Sequence, residues 1–256
     1  VDLHAHSTYS LLDAYGTPIQ LAERAKKLGR KSLAITDHGS VSGWVQFNKA
    51  CVETEIKPIF GYEAYVVDSV TSVKEEKSRK RNHITLLAEN NIGYKNILKL
   101  ATLAYENFYY FPIIDWDILS KNSEGVIVLS GCWTGKLQKL LVEDNIVEAE
   151  NWIKMMKASF GDRFYLETQH YDLHLQTFDK LKLLSEKYSV PIVLTCDAHY
   201  QTEDQANIQE ILHAIRDRRV FDNNNLIEGA YQWDANALFT YVNGKFLGNW
   251  NEIFKN

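Results

Sequence analysis

Cysteine is sparse in this chain: Cys51, Cys132 and Cys196 form no paired spacing. That pattern argues against a disulfide framework and fits a reducing compartment, the cytoplasm. Long apolar runs are missing too. Stretches such as Val126–Leu129 and Ile192–Leu194 are far too short to span a bilayer. The opening Val1-Asp2-Leu3-His4 carries no basic region and no apolar signal core, so no membrane partner is expected. No glycine-rich dinucleotide fingerprint follows the first strand, and no phosphate-cradling P-loop occurs anywhere. Positive charge is in deficit: the formal net charge is −5 and the pI is near 5.9. That tells against an autonomous, tight nucleic-acid binder. A carboxylate-rich site escapes this exclusion, because divalent metals make it present positive charge to a phosphate.

What is present is a chain able to form a core. With 45% hydrophobic and 12% aromatic residues, 256 residues suffice for one large domain or two small ones. Short β-branched runs alternate with longer helical patterns, the signature of an α/β fold. Strands are expected near Val1–Leu3, Ser32–Thr36, Pro58–Val67, Ile84–Ala88, Val126–Leu129, Phe164–Glu167 and Ile192–Thr195. Pro18 opens a helix with Leu21, Ala22, Ala25 and Leu28 on one face, stopping at Gly29. Two more are expected at about Ala149–Phe160 and Leu175–Tyr188. Seven strands with intervening helices suggest a barrel-like parallel arrangement over an open doubly wound sheet. Lys74 to Arg81 reads as a solvated loop, with Arg79 and Arg81 as weak candidates for nucleic-acid contact. After Arg219 the periodicity fades into the Asn-rich segment Asp222–Asn225.

The chemistry lies in where ligand-type residues fall. His4 and His6 stand two apart, so both side chains project from one side of an extended backbone. Asp37 and His38 close the second strand, and Glu63 lies in the third. Cys132 follows the fifth in LSGC, while Asp197 and His199 follow the last in DAH. In parallel α/β folds the loops at the carboxyl ends of strands converge on one site. His83 precedes its strand and does not fit that rule. A lone histidine is usually a satisfied core residue and a lone cysteine a small buried hydrophobe. Glu63 alone reads as an edge charge, and Asp13 as a turn residue in LLDAYG. The coincidence resists that bland reading: five of the eight histidines sit at strand boundaries. Mixed His, Asp, Glu and Cys donors suit zinc or manganese better than magnesium or calcium.

The segments HAHSTYSLLD, LAITDHGSVSG, IFGYEAYV, HITLLAENNIGYKNILKL, FYYFPIIDW, VIVLSGCWTG, FYLETQHY and VPIVLTCDAHY resemble, in order, the PHP (polymerase and histidinol phosphatase) domain. They are most similar to the version at the N-terminus of bacterial DNA polymerase III alpha subunits. The resemblance implies a distorted seven-stranded TIM-like barrel over residues 1–219, with 220–256 as an extension. It implies two or three divalent metals, Zn2+ or Mn2+ and alternatively Fe2+, on His4, His6, Asp13, His38, Glu63, His83, Cys132, Asp197 and His199. By the same resemblance His4, His6, Glu63 and Asp197 hold one metal, and Glu63 bridges to a second on His83 and Cys132. Asp13, His38 and His199 then hold the third.

The activity so implied is phosphoester hydrolysis with Glu63, Asp197 and His199 as the catalytic set, in the form of a 3′–5′ exonuclease. Cys132 would be a ligand thiolate and not an attacking group. Implied partners are DNA, as a single strand or primer 3′ end, and a polymerase module or other replisome subunits. His170 lies close to the expected site and is a third candidate for substrate contact. Two other readings stand beside this one: a small-molecule phosphatase of the histidinol phosphate type, and a non-catalytic module that stabilises a polymerase. The last forty or so residues depart from the resemblance. The chain is then a domain of a longer polymerase or a stand-alone relative, viral ones included.

Overall fold

The computed structural model describes residues 1–169, 172–218, 239–242 and 245–249. Helix α1 (Pro18–Lys27) begins where a sequence signal places it. Thr17 Oγ1 accepts from the Gln20 amide and Gln20 Oε1 from the Thr17 amide, closing a capping box around Pro18. Then follow β1 (Ser32–Ile35), α2 (Trp44–Thr54), β2 (Lys57–Val67), α3 (Val70–Glu75), β3 (Asn82–Ala88) and α4 (Asn91–Glu106). After these come β4 (Ile113–Asp115), α5 (Trp116–Lys121), β5 (Val126–Leu129), α6 (Lys136–Val142), α7 (Ile146–Phe160) and β6 (Phe164–Gln169). The last are α8 (Asp172–Tyr188), β7 (Ile192–Thr195), α9 (Ala206–Asp217), β8 (Phe239–Val242) and β9 (Lys245–Asn249). The charged loop is shorter than expected, since α3 takes in Lys74 and Glu75. Helices α7 and α8 start three residues early; at α7 the Asn145 side chain accepts the Glu148 amide and so sets the start. Among the described residues no helix is long and apolar enough to cross a membrane.

The fold is the α/β, seven-stranded curled sheet the sequence implies, in the order β1-β2-β3-β5-β6-β7 with β4 on β2. Two details correct the expectation. Val1–Leu3 is no strand: it makes one isolated bridge, Asp2 to Leu33, and Ala5 makes another to Ala198. The His4 amide turns to the Asp2 carboxylate, 3.3 Å away, instead of joining a ladder. This segment still joins the two ends of the strand order, binding Ala34 in β1 and Ala198 just after β7. The seventh strand is β4, three residues in FYYFPIIDW. The second correction is direction. β3 runs antiparallel to both β2 and β5, while β1–β2, β5–β6 and β6–β7 are parallel.

Alternation in β2 divides core from site. Ala64 and Val66 face the main apolar core with Ile84, Leu86 and Leu100, while Glu63 and Tyr65 point the other way. Of residues 220–256 the described part is the antiparallel pair β8–β9.

Candidate metal centre

The reversed β3 solves the placement of His83. The strand starts at Asn82, so His83 is its second residue and pairs with Tyr65, while Thr85 pairs with Glu63. An antiparallel strand begins at the end where its parallel neighbours finish, which brings an early residue to the shared site. Gly131 completes the approach. Its φ is +90°, and an added Cβ would stand 2.4 Å from the His83 carbonyl oxygen. Only glycine lets that turn press against β3 and set Cys132 beside His83.

The other eight sequence-predicted residues gather around Glu63, which is fully buried. Its two oxygens face different groups. Oε1 lies 3.4 Å from His4 Nε2, 3.1 Å from His83 Nδ1 and 3.4 Å from Cys132 Sγ. Oε2 contacts His38 Nδ1 and lies 3.5 Å from His6 Nε2. Asp197 Oδ1 is 3.0 Å from His6 Nε2 and 3.3 Å from His4 Nε2, on a backbone at φ +53°. Asp13 Oδ2 reaches His38 Nε2 at 2.8 Å and His199 Nε2 at 3.5 Å. The His6 ring is stacked between His38 and His199, with centroids 4.2 and 4.4 Å away.

Three sets of these donors each fit within 4.8 Å: His4, His6 and Asp197; His38, Glu63 and His83; His6, His38 and His199. The donor chemistry suits cations. His4 Nε2, His38 Nδ1 and Glu63 Oε2 are buried and close to one another, yet none is aligned for a hydrogen bond. Buried polar atoms left without a hydrogen-bond partner are ones that a cation between them would satisfy. Burial and the stacked His38 and His199 push His6 down to about 3, so it is a neutral imidazole. Burial, then the Glu63 and Asp197 charges, hold the Cys132 thiol well above its usual range. A cation between these groups is what would offset both effects and make the thiolate a ligand. For His4 and His38 burial opposes the charged form, but the surrounding carboxylates outweigh it and raise both.

Several residues of the site escaped sequence reasoning. Glu167, in β6, accepts from His4 Nδ1 at 2.6 Å, Thr85 Oγ1 at 3.0 Å, Thr195 Oγ1 at 2.5 Å and Gln169 Nε2 at 3.3 Å. Asp37, grouped with the ligands in sequence, instead accepts from the Ser7 amide and hydroxyl and from Ser10 Oγ. Ser10 Oγ lies 3.0 Å from His6 Nδ1, so Asp37 braces a ligand and is not one of the cluster. From α9, His213 Nε2 and Arg216 Nη1 reach Asp13 Oδ1 at 2.7 and 2.5 Å. Their i, i+3 spacing on one helical face was the available signal. Of the substrate candidates, Arg81 lies over Tyr65 and Phe111, Arg79 stacks on Tyr110 at 3.8 Å, and His170 is outside the described residues.

A curled α/β sheet with a buried cluster of histidines, carboxylates and one thiol at one end defines the class. The chain belongs to the PHP domain family, whose model matches residues 2–171. It is 38% identical over 258 residues to the DNA polymerase III subunit alpha of Borreliella burgdorferi, covering 99% of this chain and 22% of that one. Similarity to the same subunit of Treponema pallidum is 37% over 221 residues, covering 84% and 19%. The chain thus spans about a fifth of the length of the curated relatives it matches. Among solved structures, an amidohydrolase from Chromobacterium violaceum aligns with a TM-score of 0.47 at 16% identity, covering 77% of this chain and 87% of that one.

Proposed function

We propose that this chain is a metal-dependent phosphoesterase module of a replicative polymerase, acting in the cytoplasm as a 3′–5′ exonuclease on DNA. The observation that carries this reading is Glu63, whose two oxygens face separate histidine groups in a buried site. Similarity to DNA polymerase III alpha subunits supports a single strand or primer 3′ end as substrate, with a polymerase module or other replisome subunits as partners. His4, His6, Glu63 and Asp197 would hold one Zn2+ or Mn2+ ion (Fe2+ being the other option), His83 and Cys132 a second, and Asp13, His38 and His199 a third. Bound there, closely spaced divalent metals supply charge neutralisation at a phosphoryl group and acidify water.

The chain's own residues do the rest. Glu63 keeps the two histidine groups at fixed separation, because strand pairing with Thr85 sets its backbone and burial limits its rotamers. Asp197 aligns His4 and His6 through one oxygen. His199 lies at the more open edge with Asp13; its Nδ1 donates to the Asp197 carbonyl at 2.8 Å, which orients Nε2 as the ligand atom of the third position. Metal analysis by mass spectrometry, run beside hydrolysis of a 5′-labelled primer, tests the proposal. Two or three equivalents of metal with stepwise 3′ shortening are expected. Full metal content with hydrolysis of phosphomonoesters alone would replace the exonuclease by a small-molecule phosphatase.

A further inference from the structure

Arg81 stands out among the cations near the site. Arg216 is paired with Asp13 and Asp217, Lys136 with Asp68, and Arg30 with Asp2. Among the described residues no such ion pair involves Arg81. Its guanidinium carbon lies 3.5 Å from the Phe111 ring centroid and 4.9 Å from that of Tyr65. Its Nε is buried and makes no hydrogen bond. Its Nη1 makes one long contact, 3.5 Å to the Arg79 carbonyl, and the guanidinium also hydrogen-bonds the Tyr65 side chain. Neither partner carries a full charge, so an anion would be the stronger acceptor for a planar guanidinium held on aromatic faces. The backbone there is fixed as well: Lys139 Nζ donates to the Arg81 carbonyl at 2.9 Å and to Asn82 Oδ1 at 3.1 Å.

Position gives this cation a target. Arg81 precedes His83 by two residues, about 7 Å along an extended chain. Tyr65 connects them, its ring centroid 5.0 Å from His83 and 6.0 Å from His38. A phosphate held at the His83–Cys132–Glu63 corner would therefore leave the next phosphate of a strand within reach of Arg81. We infer that Arg81 is a specificity residue that binds the phosphate adjacent to the scissile one, so that the site takes a phosphodiester chain in preference to a small phosphate ester. This rests on the phosphoesterase reading above and assigns the substrate class of that same site.

The test uses the full chain with Mn2+, a fluorescein-labelled ten-nucleotide DNA strand and bis(p-nitrophenyl) phosphate, a diester with one phosphate. Arg81→Gln keeps a planar polar end on a shorter stem and removes charge, whereas Arg81→Lys keeps charge and removes the fork. Circular dichroism decides which variants are folded, and either one suffices. For Arg81→Gln, kcat/KM on the strand should fall on the order of ten- to a hundredfold further than on the one-phosphate diester. The loss should lie mainly in KM, with Arg81→Lys intermediate. The slope of log affinity against log salt should also shrink by about one. Equal losses on both substrates, or no loss on either, would overturn the inference. Should the wild type with Mn2+ hydrolyse neither substrate, the catalytic reading fails while Arg81 is still judged by anisotropy of the labelled strand. Weaker binding by Arg81→Gln then upholds the contact, and unchanged or undetectable binding in both proteins refutes it.

Discussion

His4 Nδ1 and Glu167 Oε1 are 2.6 Å apart, and neither side chain is reached by solvent. The contact joins the N-terminal segment to β6 across 163 residues of sequence. Engaging Nδ1 as a donor leaves Nε2 as the His4 ring atom that faces Glu63 and Asp197. Carboxylates placed behind a ligand histidine fix its tautomer and raise its basicity. Glu167→Gln keeps the shape but removes the charge, and should weaken metal retention against a competing chelator roughly 10- to 100-fold. Unchanged retention in a folded variant would deny Glu167 this role.

Glu63→Ala removes a group from both halves of the centre, while Cys132→Ala thins one corner. Outer partners already account for losses of roughly 10- to 100-fold, so Glu63→Ala should lower hydrolysis by more than about a hundredfold and hold less metal than Cys132→Ala. Metal content and hydrolysis of a generic phosphodiester compare the two, with circular dichroism as the folding control. Equal metal loss in both variants would remove the support for a bridging role.

The centre ties the N-terminal segment to β2, β3 and the residues just after β7, so metal bound only to the folded state adds stability. Chelation should lower the melting temperature by roughly 5–10 °C at a metal concentration about a hundredfold above its dissociation constant. Scanning calorimetry before and after chelation, with metal removal verified, reads this directly. An unchanged transition would limit the metals to catalysis.

Gly131→Ala should act through the backbone that carries two ligands and not through a ligand side chain. The left-handed backbone and a Cβ 2.4 Å from the His83 carbonyl oxygen oppose it together, at about 1–3 kcal/mol of stability. Since the turn presents Cys132, the variant should also lose metal from the His83–Cys132 corner. A Co2+-loaded sample would show that as loss of the thiolate charge-transfer band. Retention of both the band and the stability would mean that the turn relaxes freely.

Much of this was legible because short-range rules govern it. The His4–His6 spacing, the Thr17–Pro18 helix start and six of the seven strands follow from periodicity and caps. β4 escaped because three residues after Pro112 give no alternation to read. His83 could not be placed because nothing local announces that β3 runs against its neighbours. Glu167, His213 and Arg216 were missed for a related reason. Their partners stand 163, 200 and 203 residues away, and a charge in a strand or on a helix face does not name its partner.

Anomalous diffraction from crystals grown with Mn2+ or Zn2+, recorded at the metal's absorption edge, tests the metal centre most directly. Two or three peaks should appear between His4, His38, His83, Asp197 and His199, with Glu63 touching at least two of them. Well-ordered crystals with no peak inside this cluster, or one peak that Glu63 does not touch, would contradict it.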